Sequence, residues 1–222
     1  MVTKVQRRYT VGMYTATQLT QDDIHTLYEQ RILQDLVLNS REYINRGTYA
    51  YPGIDATPEQ IAAASDESHT EEWLNICLGA LSQPGGVILA TYVNDYLVSL
   101  FMGFINDDGE YHLCNCLFRP DADGTKGFLF VPEYHNVLGK LEKSLGATVA
   151  YTYVDIGSPI HDSLASWINY FKDMEESNVK NWSSMVNLGE VTQDYAVPEG
   201  ATMPGIKDSY SCTFTKYKME YY

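Results

Sequence analysis

Between Val87 and Phe118 the chain runs through three apolar segments, Val87 to Tyr92, Tyr96 to Phe104 and Glu110 to Phe118, separated by two short polar turns. The turns, Val93-Asn94-Asp95 and Asn106-Asp107-Asp108-Gly109, carry residue types that reverse the chain tightly, so the segments they join run antiparallel. Strands this apolar along their whole length belong in the middle of a sheet rather than at its edge.

The flanking sequence supplies the layers. Thr70 to Leu81 has Trp73, Leu74, Ile76, Cys77 and Leu81 at helical spacing and stops at Pro84-Gly85-Gly86. Val131-Pro132-Glu133 opens a second helix through Tyr134, Val137, Leu138, Leu141 and Leu145, ended by Gly146. Ala147 to Asp155 is a β-rich strand, and Ser158-Pro159 starts a helix carrying Ile160, Leu164, Trp167, Ile168 and Phe171. Upstream, Arg8 to Ala16 suits a first strand, Thr20 caps a helix reaching about Asn39, and Thr57-Pro58-Glu59 starts another. Near the end, Ser184 to Leu188 is a candidate strand and Tyr210 to Met219 a closing one. The result is a mixed α/β (α+β) chain with a largely antiparallel sheet.

At 222 residues with 45% hydrophobic content, the chain can bury one sizeable core. Residues 1–222 therefore read as one domain, with excursions at 47–68 and 197–205. The formal charge of −14 speaks against direct binding to nucleic acid or an anionic membrane; Lys4, Arg7 and Arg8 make the one local basic cluster. Cys77, Cys114, Cys116 and Cys212 form no disulfide framework, and without a second pair at matching spacing they form no metal site. Cys114 and Cys116 alternate onto one strand face, which reads as reduced, buried thiols. Met1 to Thr10 lacks the apolar core of a signal peptide, no run is long enough to span a bilayer, and the expected compartment is the cytoplasm.

This order of strands and helices resembles the GNAT acyltransferase superfamily. In that resemblance Glu110 to Phe118 is the central strand, Phe130 to Leu145 the helix that follows, and Ala147 to Val154 the strand that splays away to admit a pantetheine arm. It implies acetyl-CoA as cofactor, with the loop Arg119-Pro120-Asp121-Ala122-Asp123-Gly124-Thr125-Lys126-Gly127 at its pyrophosphate. Gly124, Thr125, Lys126 and Gly127 would make that contact through backbone N–H groups and one point charge. The loop departs from the family pattern: tightly spaced glycines and a basic residue before the helix are missing, Pro132 removes an N–H, and Asp121 and Asp123 add like charge. A second, shorter resemblance, Tyr151 to His161, is to GNAT-like internal virion proteins of short-tailed bacteriophages.

Two functions follow. One is an acetyl-CoA-dependent N-acyltransferase acting on a small-molecule or protein amine, with Glu110 or His112 as base and Tyr170 as general acid. The other is a non-catalytic structural or interaction protein, such as a virion component, whose acidic, Tyr-rich surface binds protein partners in an assembly. Glu110 and His112 share a strand face by period-two spacing, where a base would be useful; they also read as a strand-end charge in water and a satisfied sheet histidine. His135 reads as a solvent-edge residue, and Trp73 as core. Val149, Tyr151 and Tyr153 put an aromatic face on the strand after the helix. That face meets a small ligand if the strands splay and a helix if they do not.

Overall fold

The structure, a computed structural model, describes residues 8–40, 67–119, 132–156, 182–196 and 209–221. Eight strands form one sheet: β1 (Arg8–Val11), β2 (Tyr14–Gln18), β3 (Gly86–Val93), β4 (Tyr96–Ile105), β5 (Glu110–Phe118), β6 (Val149–Asp155), β7 (Trp182–Ala196) and β8 (Ser209–Tyr221). The helices are α1 (Gln21–Glu29), α2 (Ile32–Ser40), α3 (Glu67–Ser82) and α4 (Pro132–Ser144). The strand order is β1-β2-β3-β4-β5-β6-β8-β7, and every neighbouring pair is antiparallel except β5 and β6. That exception follows from the connection: β5 and β6 are joined through α4, and a parallel pair needs a crossover of such length.

The three central strands match their expected bounds within a residue or two. Asn94 and Asp95 both have positive φ, 49° and 65°, which makes the β3–β4 link a two-residue turn whose twist suits a hairpin. Two upstream expectations are corrected. Arg8 to Ala16 is two strands, because Gly12 (φ +60°) reverses the chain and pairs Val11 with Tyr14. The helix expected to run on to Asn39 is broken at Arg31 (φ 61°), and the Gln34 side chain donates to the Tyr28 carbonyl that the break exposes. The break re-aims the chain so that Leu33, Leu36 and Val37 reach the core, as Ile24 and Leu27 do. Thr20 caps α1 as expected: its hydroxyl accepts from the Asp23 amide at 3.2 Å and its own N–H donates to the Asp23 carboxylate at 2.7 Å.

Each face of the sheet has its own core. On one face α1, α2 and α3 bury Ile24, Leu33, Leu36, Trp73 and Cys77 against Ile88, Leu100, Met102 and Leu117. On the other, α4 buries Tyr134, Val137, Leu138 and Leu141 against Tyr14, Leu89, Phe101, Tyr111 and Ala150. Tyr134 fixes the second layer through edge-on contacts with Tyr14 and Phe101 and a 2.9 Å hydrogen bond with Ser99. His135 is 3% exposed and packs edge-on to Tyr134, so it belongs to the core rather than the solvent edge. Among the described residues, no helix is long and apolar enough to cross a membrane.

The strand expected at Ser184 to Leu188 lies in the first half of the longer β7, which pairs with β8 along most of its length. The expected excursion at 47–68 ends sooner, since Glu67 and Ser68 already belong to α3. The excursion at 197–205 and the helices expected after Thr57 and Ser158 lie outside the described residues.

Candidate functional site

β5 and β6 pair only over their first halves, from Glu110↔Val149 to Leu113↔Thr152. β5 continues to Phe118 and β6 to Asp155 without pairing to one another, so the two strands part beyond Leu113 and Thr152. Facing strand edges that part in this way offer backbone donors and acceptors to whatever lies between them. At the same level β4 and β5 slip register: Met102 pairs with Asn115 and Gly103 with Leu113, leaving Cys114 as the extra residue of a bulge. Gly103 is what permits the close approach, since a Cβ there would sit 2.1 Å from the His112 carbonyl oxygen.

The bulge also corrects the cysteine reading. Leu113 and Cys116, three residues apart, pack against the same α4-side core, whereas Cys114 is exposed. Plain alternation would have put the two sulfurs together. Burial pushes the Cys77 and Cys116 thiols up to about 12, which leaves them unreactive.

Glu110 and His112 do lie together, on the face of the sheet that carries α1 to α3. The turn before β5 positions the carboxylate: the Asn106 side-chain oxygen accepts from the Glu110 amide at 2.8 Å, and its Nδ2 donates to Glu110 Oε2 at 2.9 Å. Glu110 Oε2 is 3.5 Å from His112 Nε2, and Tyr151 donates to Glu110 Oε1 at 3.4 Å. The Asn106 hydrogen bond is the largest influence on the Glu110 pKa, and with His112 and Tyr151 it holds the carboxyl below its usual value despite some desolvation. Glu110 is thus held as an anion by the groups around it.

His112 is held between rings. Phe104 stacks on it at 4.8 Å and Tyr151 at 5.0 Å, while its Nδ1 lies 3.4 Å from the Tyr153 hydroxyl. Its two nitrogens therefore face a carboxylate on one side and a phenol on the other, an arrangement suited to passing a proton from a bound group toward Glu110. Next along the sheet, Lys216 places its ammonium 4.3 Å from the Tyr151 ring centre and 5.5 Å from that of Tyr153. Lys218 donates to Glu220 at 2.5 Å, and that bond, ahead of any other influence, raises its pKa.

At the far end of β5, Arg119 is 5% exposed; its Nε donates to the Leu97 carbonyl at 2.9 Å, and its Nη2 meets Asp35 of α2 at 2.5 Å. The guanidinium also stacks on Tyr96, 4.5 Å from the ring centre. It ties α2 to the point where the chain leaves the sheet. Tyr170 and the loop residues Gly124, Thr125, Lys126 and Gly127 lie outside the described residues. Sequence reasoning passed over Phe104, Asn106 and Lys216. Asn106 was legible as an Asx turn ahead of Glu110, but Phe104 and Lys216 become neighbours only through strand register. Among the described residues, no group of three or more His, Cys, Asp or Glu could hold a metal ion.

No protein-family model and no curated protein sequence matches this chain. Solved structures do. RimL, a ribosomal L7/L12 alpha-N-protein acetyltransferase in complex with coenzyme A, superposes with a TM-score of 0.51 at 6% identity over 95% of this chain and 97% of that one. A probable acetyltransferase of the GNAT family from Chromobacterium violaceum gives 0.50 at 10% identity over 96% and 90%. PaiA N-acetyltransferase from Thermoplasma acidophilum, in complex with coenzyme A, gives 0.47 at 15% identity over 94% and 99%. The first two likenesses, with the single parallel pair at the centre of the sheet, establish that this chain has the fold of the GNAT acetyltransferases.

Proposed function

We propose that the chain is an acyl-coenzyme A-dependent N-acyltransferase whose acceptor is an amine. The observation that carries this reading is the coincidence of three features at one level of the sheet: the parting of β5 from β6, the Cys114 bulge, and the Glu110–His112–Tyr153 series. The backbone of β5 beyond Leu113 and of β6 beyond Thr152 suits an amide-bearing pantetheine arm, which would take up hydrogen bonds that a neighbouring strand otherwise makes. When bound, the coenzyme supplies an activated acyl thioester. Glu110 takes the proton of the amine, directly or through His112, and Tyr151 and Asn106 hold the carboxylate in place. Gly124, Thr125, Lys126 and Gly127 would meet the pyrophosphate, and Tyr170 would protonate the departing thiolate. A protein with a formal charge of −14 also favours a cationic amine as its acceptor.

The test is calorimetry with acetyl-CoA, followed by acetyl transfer to a panel of primary amines. Binding is expected, and Glu110→Gln should keep it while lowering transfer roughly 100-fold or more. Neither heat nor thermal shift at millimolar acetyl-CoA would remove the enzymatic reading.

A second reading rests on β7. Val186 and Leu188 are 47% and 48% exposed on a strand that ends the described sheet, as suits a non-catalytic interaction protein, a virion component among them. Size-exclusion light scattering decides it: a monomer that binds acetyl-CoA speaks for the enzyme, and an assembly that ignores acetyl-CoA for the interaction protein.

A further inference from the structure

Glu110, His112 and Tyr153 follow one another along the sheet, on the face that carries α1 to α3. Glu110 opens β5 opposite Val149, and Tyr153, four residues further along β6, is the first residue past the segment that pairs with β5. Parallel strands rise about 3.3 Å per residue, so roughly 13 Å of strand separates the level of Glu110 from that of Tyr153. A carboxylate side chain does not reach over that distance. Both of its oxygens are also engaged at the paired end, Oε2 by Asn106 and His112 and Oε1 by Tyr151. An amine bound where the strands part therefore cannot give its proton to Glu110 directly.

The hydrogen-bond roles follow from the anion. Glu110 is held ionised, and an ionised carboxylate only accepts, so the His112 nitrogen that faces it, Nε2, carries the proton. In the neutral ring Nδ1 is then the acceptor, and the hydrogen between it and the Tyr153 oxygen at 3.4 Å belongs to the phenol. Phe104 and Tyr151, on the strands to either side, stack on the imidazole with planes 10° and 23° from its own and hold its two nitrogens toward their partners. The contacts of 3.4 and 3.5 Å are long for hydrogen bonds, and such contacts in catalytic sites shorten when substrate binds.

We propose that Tyr153 is a catalytic residue: its phenol takes the proton of the acceptor amine and relays it through His112 to Glu110. The inference rests on the acyltransferase reading, and of the two routes to Glu110 it selects the one through His112. The amine nitrogen bonds through its lone pair to the acyl carbon as the C–S bond breaks, and that bonding pair leaves with the sulfur. The proton shed by nitrogen goes to the Tyr153 oxygen while the phenolic proton moves to His112 Nδ1 and the Nε2 proton to Glu110, so neither ring ends charged. Once the amide has left, the same transfers in reverse deliver the proton from Tyr153 to water and restore the starting tautomer. The sulfur takes up a proton and leaves as the thiol.

The experiment uses the full chain, coenzyme A, acetyl-CoA and whichever primary amine of the panel the wild type acetylates fastest. Tyr153→Phe keeps the ring and removes only the hydroxyl. It should bind coenzyme A with unchanged heat and lose at least about tenfold in kcat for acetyl transfer. Added to Glu110→Gln, it should cost no more than about a further threefold, because members of one relay do not act independently. A smaller loss in Tyr153→Phe, a loss accompanied by lost coenzyme A binding, or losses that multiply in the double variant overturns this inference alone. No heat with coenzyme A, or no transfer by wild type to any amine, overturns it together with the acyltransferase reading. A coenzyme-free measurement tests the hydrogen-bond roles: in 15N NMR of the free chain, at the pH of the assay, the unprotonated nitrogen of His112 should be Nδ1, and its signal should move in Tyr153→Phe. A proton resident on Nδ1, or an Nδ1 signal indifferent to Tyr153→Phe, overturns the proposal.

Discussion

Glu142 sits on α4 with 4% exposure, inside the core between that helix and β8. Its carboxyl accepts a hydrogen bond from the Tyr221 hydroxyl, and Tyr111, buried nearby, has a hydroxyl with no hydrogen-bond partner among the described residues. Burial, only partly offset by Tyr221, raises the Glu142 pKa from 4.5 to about 7. The sign is fixed by which state holds the proton. Below about pH 4.5 both folded and unfolded chains hold it and the group costs nothing; between pH 4.5 and 7 only the folded chain does, so unfolding releases a proton and stability falls as pH rises. At about 1.4 kcal/mol per pH unit, the loss is complete above pH 7 and amounts to about 3 kcal/mol. Glu142→Gln keeps the shape and an acceptor for Tyr221 but cannot ionise. Urea unfolding of both proteins from pH 4 to 8, with m-values compared to exclude a changed unfolded state, isolates the effect, since other carboxylates cancel in the difference. The variant should match wild type near pH 4 and exceed it by about 3 kcal/mol at pH 8, a difference in Tm of roughly 6–12 °C for a chain of this size. Parallel pH curves would refute a buried, neutral Glu142.

Gly103→Ala forces a Cβ against the His112 carbonyl, so it should cost about 1–3 kcal/mol or more in denaturant and displace the His112 ring signals in NMR. Arg119→Ala removes a buried guanidinium with charge-assisted bonds to Leu97 and Asp35 and should cost about 2–3 kcal/mol. Asp35→Ala, at a half-exposed carboxylate, should cost less; equal costs would contradict this account of the pair. Thr20→Ala opens the capping box of α1 and should cost about 1 kcal/mol by urea titration.

Much of this fold is legible in the sequence wherever apolar periodicity is long and turn chemistry explicit. Val87 to Phe118 and the α4 segment are of that kind, because their turns carry Asn, Asp and Gly and their apolar spacing is unbroken. The reading fails where a single residue redirects the chain inside an apparently continuous segment, as Gly12 does within Arg8 to Ala16. Arg31 ends α1 with no compositional warning, and the Cys114 bulge shifts half of β5 to the opposite facing without changing its apolar character. The candidate site divides in the same way. Glu110 and His112 are neighbours by alternation within one strand, which a sequence displays. Phe104, Tyr151, Tyr153 and Lys216 join them only through register between four strands, one pair of which is parallel and joined through α4. A polar residue on a helix is a further blind spot: His135 and Glu142 are core residues because of what packs on α4, although each is an ordinary surface type by composition.

The claim that β5 and β6 part to receive a coenzyme is tested most directly by hydrogen exchange with and without saturating coenzyme A. Slowed exchange is predicted in residues 114–118 of β5 and 153–155 of β6, with β1, β2 and α3 unchanged. Binding that leaves those two segments at their original exchange rates, or protects only the far side of the sheet, would contradict it.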